Sequence, residues 1–145
     1  MAEELLKKTF TIFPRNFDKA GENSTEIKTL LKSLNFDPDI IRRLVVVAFE
    51  AEMNVVMYAN GGEMDFVITD EGIRIDIRDE GPGIPDIEQA MQEGYSTATD
   101  EMREMGFGFG MGLPNIKRHS DFLNIESQVG KGTTVSAGIR LDSNA

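Results

Sequence analysis

No cysteine occurs in the 145 residues. That excludes disulfides, thiolate metal sites and cysteine nucleophiles, and it suits a reducing compartment. Positive charge is in short supply as well: 25 acidic residues stand against 15 basic ones, a net charge of -10. A chain of that sign repels a polyphosphate backbone, which argues against nucleic acid as a partner. Long hydrophobic runs are missing too. The longest, Leu44 to Phe49, is far shorter than the roughly 20 apolar residues a membrane-spanning helix needs. The Met1-Ala2-Glu3-Glu4 start lacks the basic-then-apolar pattern of a signal peptide. A soluble cytoplasmic protein with no membrane partner is the expectation. Its 40% apolar content suits one compact domain over residues 1–145, with a core of its own.

Local patterns divide the chain into alternating elements. Thr9 to Phe13 mixes aromatic and β-branched residues and meets Pro14, which predicts a short strand. Asn23-Ser24-Thr25-Glu26 offers a capping box, and Ile27, Leu30, Leu31 and Leu34 follow at the spacing of an amphipathic helix. Asp37-Pro38 opens a second helix, an N-cap acid before a first-turn proline, running to about Ala59 and stopping at Asn60-Gly61-Gly62. Apolar on almost every side from Ile40 to Met57, it is expected to be largely buried. The period then changes. Met64 to Thr69, an Asp70-Glu71-Gly72 turn and alternating Ile73, Ile75 and Ile77 predict a hairpin with one wet face. A short helix over 86–92 and an aperiodic stretch from Gly94 to Met105 follow. Next come alternating glycines that lead into a helix through Leu113-Pro114-Asn115-Ile116. A second hairpin, Phe122 to Glu126 and Thr133 to Leu141, turns around Val129-Gly130-Lys131-Gly132.

Three constellations have chemical potential. Glu50 and Asn54 lie four apart on the long helix and share a face, while Glu52 is turned roughly 160° away. A divalent metal carrying phosphates would partner such a pair, although a helix face bordering solvent would look the same. Asp79-Glu80-Gly81-Pro82-Gly83 follows a strand. A carboxylate there can accept from an exocyclic amine while the glycines admit a flat ligand, and an ordinary turn uses the same residues. Gly106, Gly108, Gly110 and Gly112 precede a helix, where free amides can cradle a polyphosphate or simply form a flexible linker. No Gly-Lys-Ser/Thr closes this loop, so it is not a P-loop.

In series, Glu50-x-x-x-Asn54, Asp79-x-Gly81-x-Gly83, the glycine loop and Gly132-Thr133 resemble the GHKL ATPases, which include gyrase, a heat-shock chaperone, histidine kinases and mismatch-repair proteins. The resemblance covers Leu44 to Leu141. Glu50-Ala51-Glu52-Met53-Asn54 with Tyr58-Ala59, Gly81-Pro82-Gly83-Ile84-Pro85-Asp86-Ile87-Glu88 and Gly94-Tyr95-Ser96-Thr97 are most similar to the bacterial stress-switch serine/threonine kinases and anti-sigma factors.

That resemblance implies an α+β Bergerat fold, a two-layer sandwich with helices on one face of a mixed, mostly antiparallel sheet. It implies ATP and Mg2+, with Glu50 as general base, Asn54 as magnesium ligand and Asp79 reading the adenine amino group near Thr133. Phosphate contacts fall to Gly106, Gly108, Gly110, Met111, Gly112 and Leu113, ligand approach to Gly81 and Gly83, and the lid to the stretch from Gly94 to Met105. The implied partner is a STAS-domain antagonist, with a sigma factor, a phosphatase and a homodimer as further associations. A nucleotide-dependent regulator without catalysis and an orphan histidine-kinase-like module are the rival readings. The single histidine, His119, lacks an acidic neighbour and lies at the far end of the glycine-loop helix, which argues against autophosphorylation on histidine.

Overall fold

The computed structural model describes residues 3–14, 19–59, 61–80, 87, 91–92 and 112–141. Its elements are β1 (Glu4–Ile12), α1 (Glu22–Ser33), α2 (Pro38–Tyr58), β2 (Gly62–Thr69), β3 (Gly72–Asp79), α3 (Gly112–His119), β4 (Phe122–Gln128) and β5 (Gly132–Arg140). The strands form one sheet in the order β1-β2-β3-β5-β4. Every described pairing is antiparallel, which narrows the mixed sheet expected from sequence. The helices form the second layer, α2 lying on the sheet and contacting both α1 and α3. Phe66, Ile75 and Ile139 from the sheet meet Leu44, Val47 and Ile27 from the helices in one dry core.

Where local chemistry decides an element, expectation and structure agree. Asp37 caps α2 by accepting from the Asp39 amide at 2.8 Å, with Pro38 in the first turn. After Tyr58 the chain turns extended at Ala59, and Gly61 adopts a positive φ of 117°. The helix is buried over most of its length, but Phe49 is 36% exposed. Both hairpins are present; β2 starts two residues earlier, β3 extends to Gly72 and Asp79, β4 runs on to Gln128, and β5 is shifted one residue towards the N-terminus.

Tertiary contacts overrode local signals in three places. β1 starts at Glu4, not Thr9, because antiparallel pairing with β2 carries the strand through Lys7 and Lys8. The capping box does not form. α1 is capped two residues earlier, at Gly21 in the left-handed conformation with no side-chain cap, and Ser24 turns inward. The outer face of the first hairpin is polar but not wet throughout, since Val67 is 0% and Asp65 5% exposed beneath their cross-strand neighbours. Of the helix expected over 86–92, Ile87, Met91 and Gln92 are among the described residues, the Met91 amide donating to the Ile87 carbonyl at 3.0 Å. The expected lid lies outside the described residues, as does the glycine loop as far as Met111.

Candidate active site

Two clusters form at one end of the α2 and sheet layers. The first is built on α2, where one helical turn separates Glu50 from Asn54. The first residue of α3 comes directly onto this pair. A Cβ added to Gly112 would lie 3.0 Å from Asn54 Oδ1 and 3.4 Å from Glu50 Oε2. A larger residue there would press on both side-chain ends, which glycine avoids. Three residues along α3, on the same face as Gly112, Asn115 donates from Nδ2 to Glu50 Oε1 at 3.4 Å. The far end of α3 is anchored to α2 by Arg43, which donates from Nε to the His119 carbonyl at 3.1 Å. Burial raises the pKa of Glu50 above the ordinary carboxylate value, opposed by the Asn115 hydrogen bond and by the charge of His119. A carboxylate made more basic in this way is a better proton acceptor.

The second cluster closes the strand ends. Register pairs Asp79 with Thr133, and Asp79 Oδ1 accepts from the Thr133 amide at 3.1 Å. Gly132, with φ 130°, lies so close to the Asp79 carbonyl that a Cβ there would overlap it. Thr133 is 8% exposed, and its hydroxyl meets that of Ser127 at 2.9 Å. The two clusters are neighbours: a Cβ on Gly62 would touch both Val55 Cγ1 at 3.2 Å and the Asp79 Cα at 3.3 Å, and Val55 directly follows Asn54.

Sequence reasoning thus placed Glu50 with Asn54 and Gly112, and Asp79 with Thr133. Leu113 packs partly buried against the core. Gly81, Gly83, Gly106, Gly108, Gly110 and Met111 lie outside the described residues. Asn115 and Ser127 were missed. Asn115 is one turn along the helix from Gly112, and that spacing was the signal available for it. On the far side of Glu50 an open pocket of about 550 Å³ lies between α1 and α2, lined by Gly21, Ser24, Lys28, Val46, Phe49 and Glu50 among others.

Residues 39–143 match the family of histidine kinase-, DNA gyrase B- and HSP90-like ATPases. The chain belongs to this family. Within it, the serine/threonine-protein kinase RsbT of Bacillus subtilis is 32% identical over 114 residues, covering 76% of this chain and 80% of the relative. The anti-sigma F factor of Caldanaerobacter subterraneus is 32% identical over 137 residues (78% and 90%), and that of Geobacillus stearothermophilus 29% over 133 residues (92% and 80%). This ATPase-family domain therefore falls in the switch-kinase and anti-sigma branch. Its helix layer on an antiparallel sheet fits the α+β sandwich of that family. No described helix is long and apolar enough to cross a membrane.

Proposed function

We infer that this chain is a serine/threonine kinase of the anti-sigma and stress-switch type. It takes magnesium ATP and phosphorylates a hydroxyl on a STAS-domain antagonist in the cytoplasm. One observation carries the reading: Glu50 faces Asn54 and the start of α3 on one side and lines the open pocket on the other. Nucleotide on the first side and acceptor on the second would meet at this carboxylate.

Asn54 offers a carboxamide oxygen beside the space that Gly112 leaves free. Oxygen donors suit magnesium, which takes one or two protein oxygens together with phosphates. When bound, the ion neutralises charge on the phosphate oxygens. Asp79, which accepts from the Thr133 amide through Oδ1, supplies the carboxylate that reads the adenine amine. The amides of Gly112 and Leu113 open a helix towards the phosphates, joined by those of Gly106, Gly108, Gly110 and Met111. Gly81 and Gly83 allow close backbone approach. An acceptor serine or threonine enters by the pocket, and Glu50 takes its proton as the hydroxyl oxygen bonds to the γ-phosphorus and ADP leaves. Positioning and charge neutralisation supply most of the catalysis in such transfers.

The test is incubation with γ-labelled ATP and a panel of STAS-domain and sigma-factor proteins. Label on a serine or threonine of a STAS protein supports the reading. Nucleotide-dependent capture of a partner with no label on it would replace this reading with that of a non-catalytic regulator. Transfer to a histidine of another chain would make it an orphan sensor-kinase module.

A further inference from the structure

Glu52 lies between Glu50 and Asn54 in sequence but points to the other side of α2, where it is 2% exposed. Burying a carboxylate is strongly unfavourable unless hydrogen bonds replace its water. Here the replacement comes from α1. Glu52 Oε1 accepts from Ser24 Oγ at 2.7 Å and from the Ser24 amide at 3.2 Å, and Ser24 is itself 2% exposed. Because α1 starts on Gly21, which has no side chain to offer, a carboxylate from another helix takes the place of its N-cap. It also sits where the positive end of the α1 dipole favours negative charge.

The position of this bond matters for the site. The first turn of α1 forms one wall of the pocket, and Val46, Phe49 and Glu50 of α2 form the other. A Cβ on Gly21 would come 3.0 Å from Phe49 Cε1, so the two walls already touch at that point. Contact at Gly21 limits how close α1 can come, but apolar contact is not directional. The short charge-assisted bond from Ser24 adds the direction. We propose that Glu52 is a positioning residue for phosphoryl transfer: acting through Ser24, it holds the α1 wall of the pocket in register with Glu50. An acceptor hydroxyl resting on that wall is thereby kept within reach of the base. This rests on the reading that the acceptor enters by the pocket.

A merely structural bond would be dispensable once its two polar groups were removed together. The decisive variant is therefore Ser24→Ala/Glu52→Met, which removes both side-chain partners and keeps volume close to the original, so that of the groups in this bond the amide of residue 24 alone loses its acceptor. It is compared with Glu52→Gln, whose carbonyl can accept both Ser24 bonds. Melting temperature, ATP affinity and kcat/KM for a STAS protein phosphorylated by the parent chain are measured in parallel. The double variant should melt somewhat lower, because the amide of residue 24 loses its acceptor, and keep its ATP affinity, while kcat/KM measured well below the melt falls about tenfold, the scale of one lost charge-assisted hydrogen bond. Glu52→Gln should stay within about twofold of the parent, because the same acceptor geometry remains. Parental kcat/KM in the double variant overturns the proposal. So does a loss that only follows melting temperature or ATP affinity, and so does an equal loss in the Gln variant. If the parent chain labels no STAS protein, the functional reading falls first and this proposal with it, and the parent lane alone reveals that case.

Discussion

Glu50 and Asp65 are both carboxylates withdrawn from solvent, and the protein treats them in opposite ways. Asp65, on the outer face of the sheet, is surrounded by donors. Arg78 Nη1 reaches it at 2.8 Å, Thr9 Oγ1 at 2.8 Å and Lys7 Nζ at 4.0 Å. The Arg78 hydrogen bond is the largest influence holding its pKa below the ordinary value. Among the described residues Glu50 has one long hydrogen bond, from the neutral amide of Asn115, and burial pushes its pKa up. A carboxylate that holds strands together is neutralised by its neighbours. The carboxylate proposed to take a proton has few partners among the described residues and lies beside open space, as perturbed groups at reactive sites commonly do. The difference separates structure from chemistry on physical grounds.

The largest expected effect tests the reactive half of this contrast. Glu50→Gln keeps the size of the side chain, and its carbonyl can still accept from Asn115, but it cannot take a proton. Single-turnover phosphorylation should fall on the order of 10²–10⁴-fold, with ATP affinity little changed. Near-parental transfer would end the assignment of Glu50 as base. Asp65→Asn in the same assay should leave the rate alone.

Next in size is Asp79→Asn. The Thr133 amide donates to Oδ1 of Asp79, and an asparagine in its place brings an NH2 donor to a group that otherwise only accepts. Donor would then face donor at the adenine amine, and affinity for ATP should drop about tenfold or more. Calorimetric titration checks this, and unchanged affinity would remove Asp79 from the site. Asn54→Ala should act differently, with ATP binding losing its response to magnesium.

Asp65→Asn should lower stability by about 1–2 kcal/mol at neutral pH through loss of a charge-assisted bond to a half-exposed arginine. Urea unfolding measures it. A neutral result would place Asp65 among ion pairs of no consequence and weaken the contrast with Glu50.

How far the sequence revealed these sites depended on the range of the interaction concerned. The Asp37-Pro38 start of α2 and the Glu50 to Asn54 spacing were legible because each is settled within a turn of helix. The alternation of Ile73, Ile75 and Ile77 likewise marked the core face of β3. Asn23-Ser24-Thr25-Glu26 misled because Ser24 has a stronger partner 28 residues away, in a helix whose docking no local pattern encodes. Asp65 looked like a residue of a wet face for a similar reason. Alternation gives the face, but whether water reaches it depends on Arg78 and Thr9 from neighbouring strands.

The smallest effect is also the one that distinguishes the two carboxylates most directly, because it has opposite signs. The Asp65 pKa is lowered on folding from a model-peptide value of 3.8. Its ionised form therefore stabilises the fold fully above that pH, and the contribution is lost as pH falls through the lower, folded value. The pKa of Glu50 is raised from 4.5, so its ionisation opposes folding. That penalty is absent below pH 4.5 and grows as pH rises through the folded value. With nucleotide and magnesium left out, Asp65→Asn should lower the melting temperature at pH 7, and the gap should begin to narrow near pH 3.8 and shrink further as pH falls toward the lower, folded value. Glu50→Gln should raise it slightly at pH 7, with its gap closing below about pH 4.5. The measurement is a melting series from pH 3 to pH 7 on the parent and both variants. If Glu50→Gln destabilises at neutral pH, the carboxylate is holding the helices together, and its place on the reactive side of the comparison is lost.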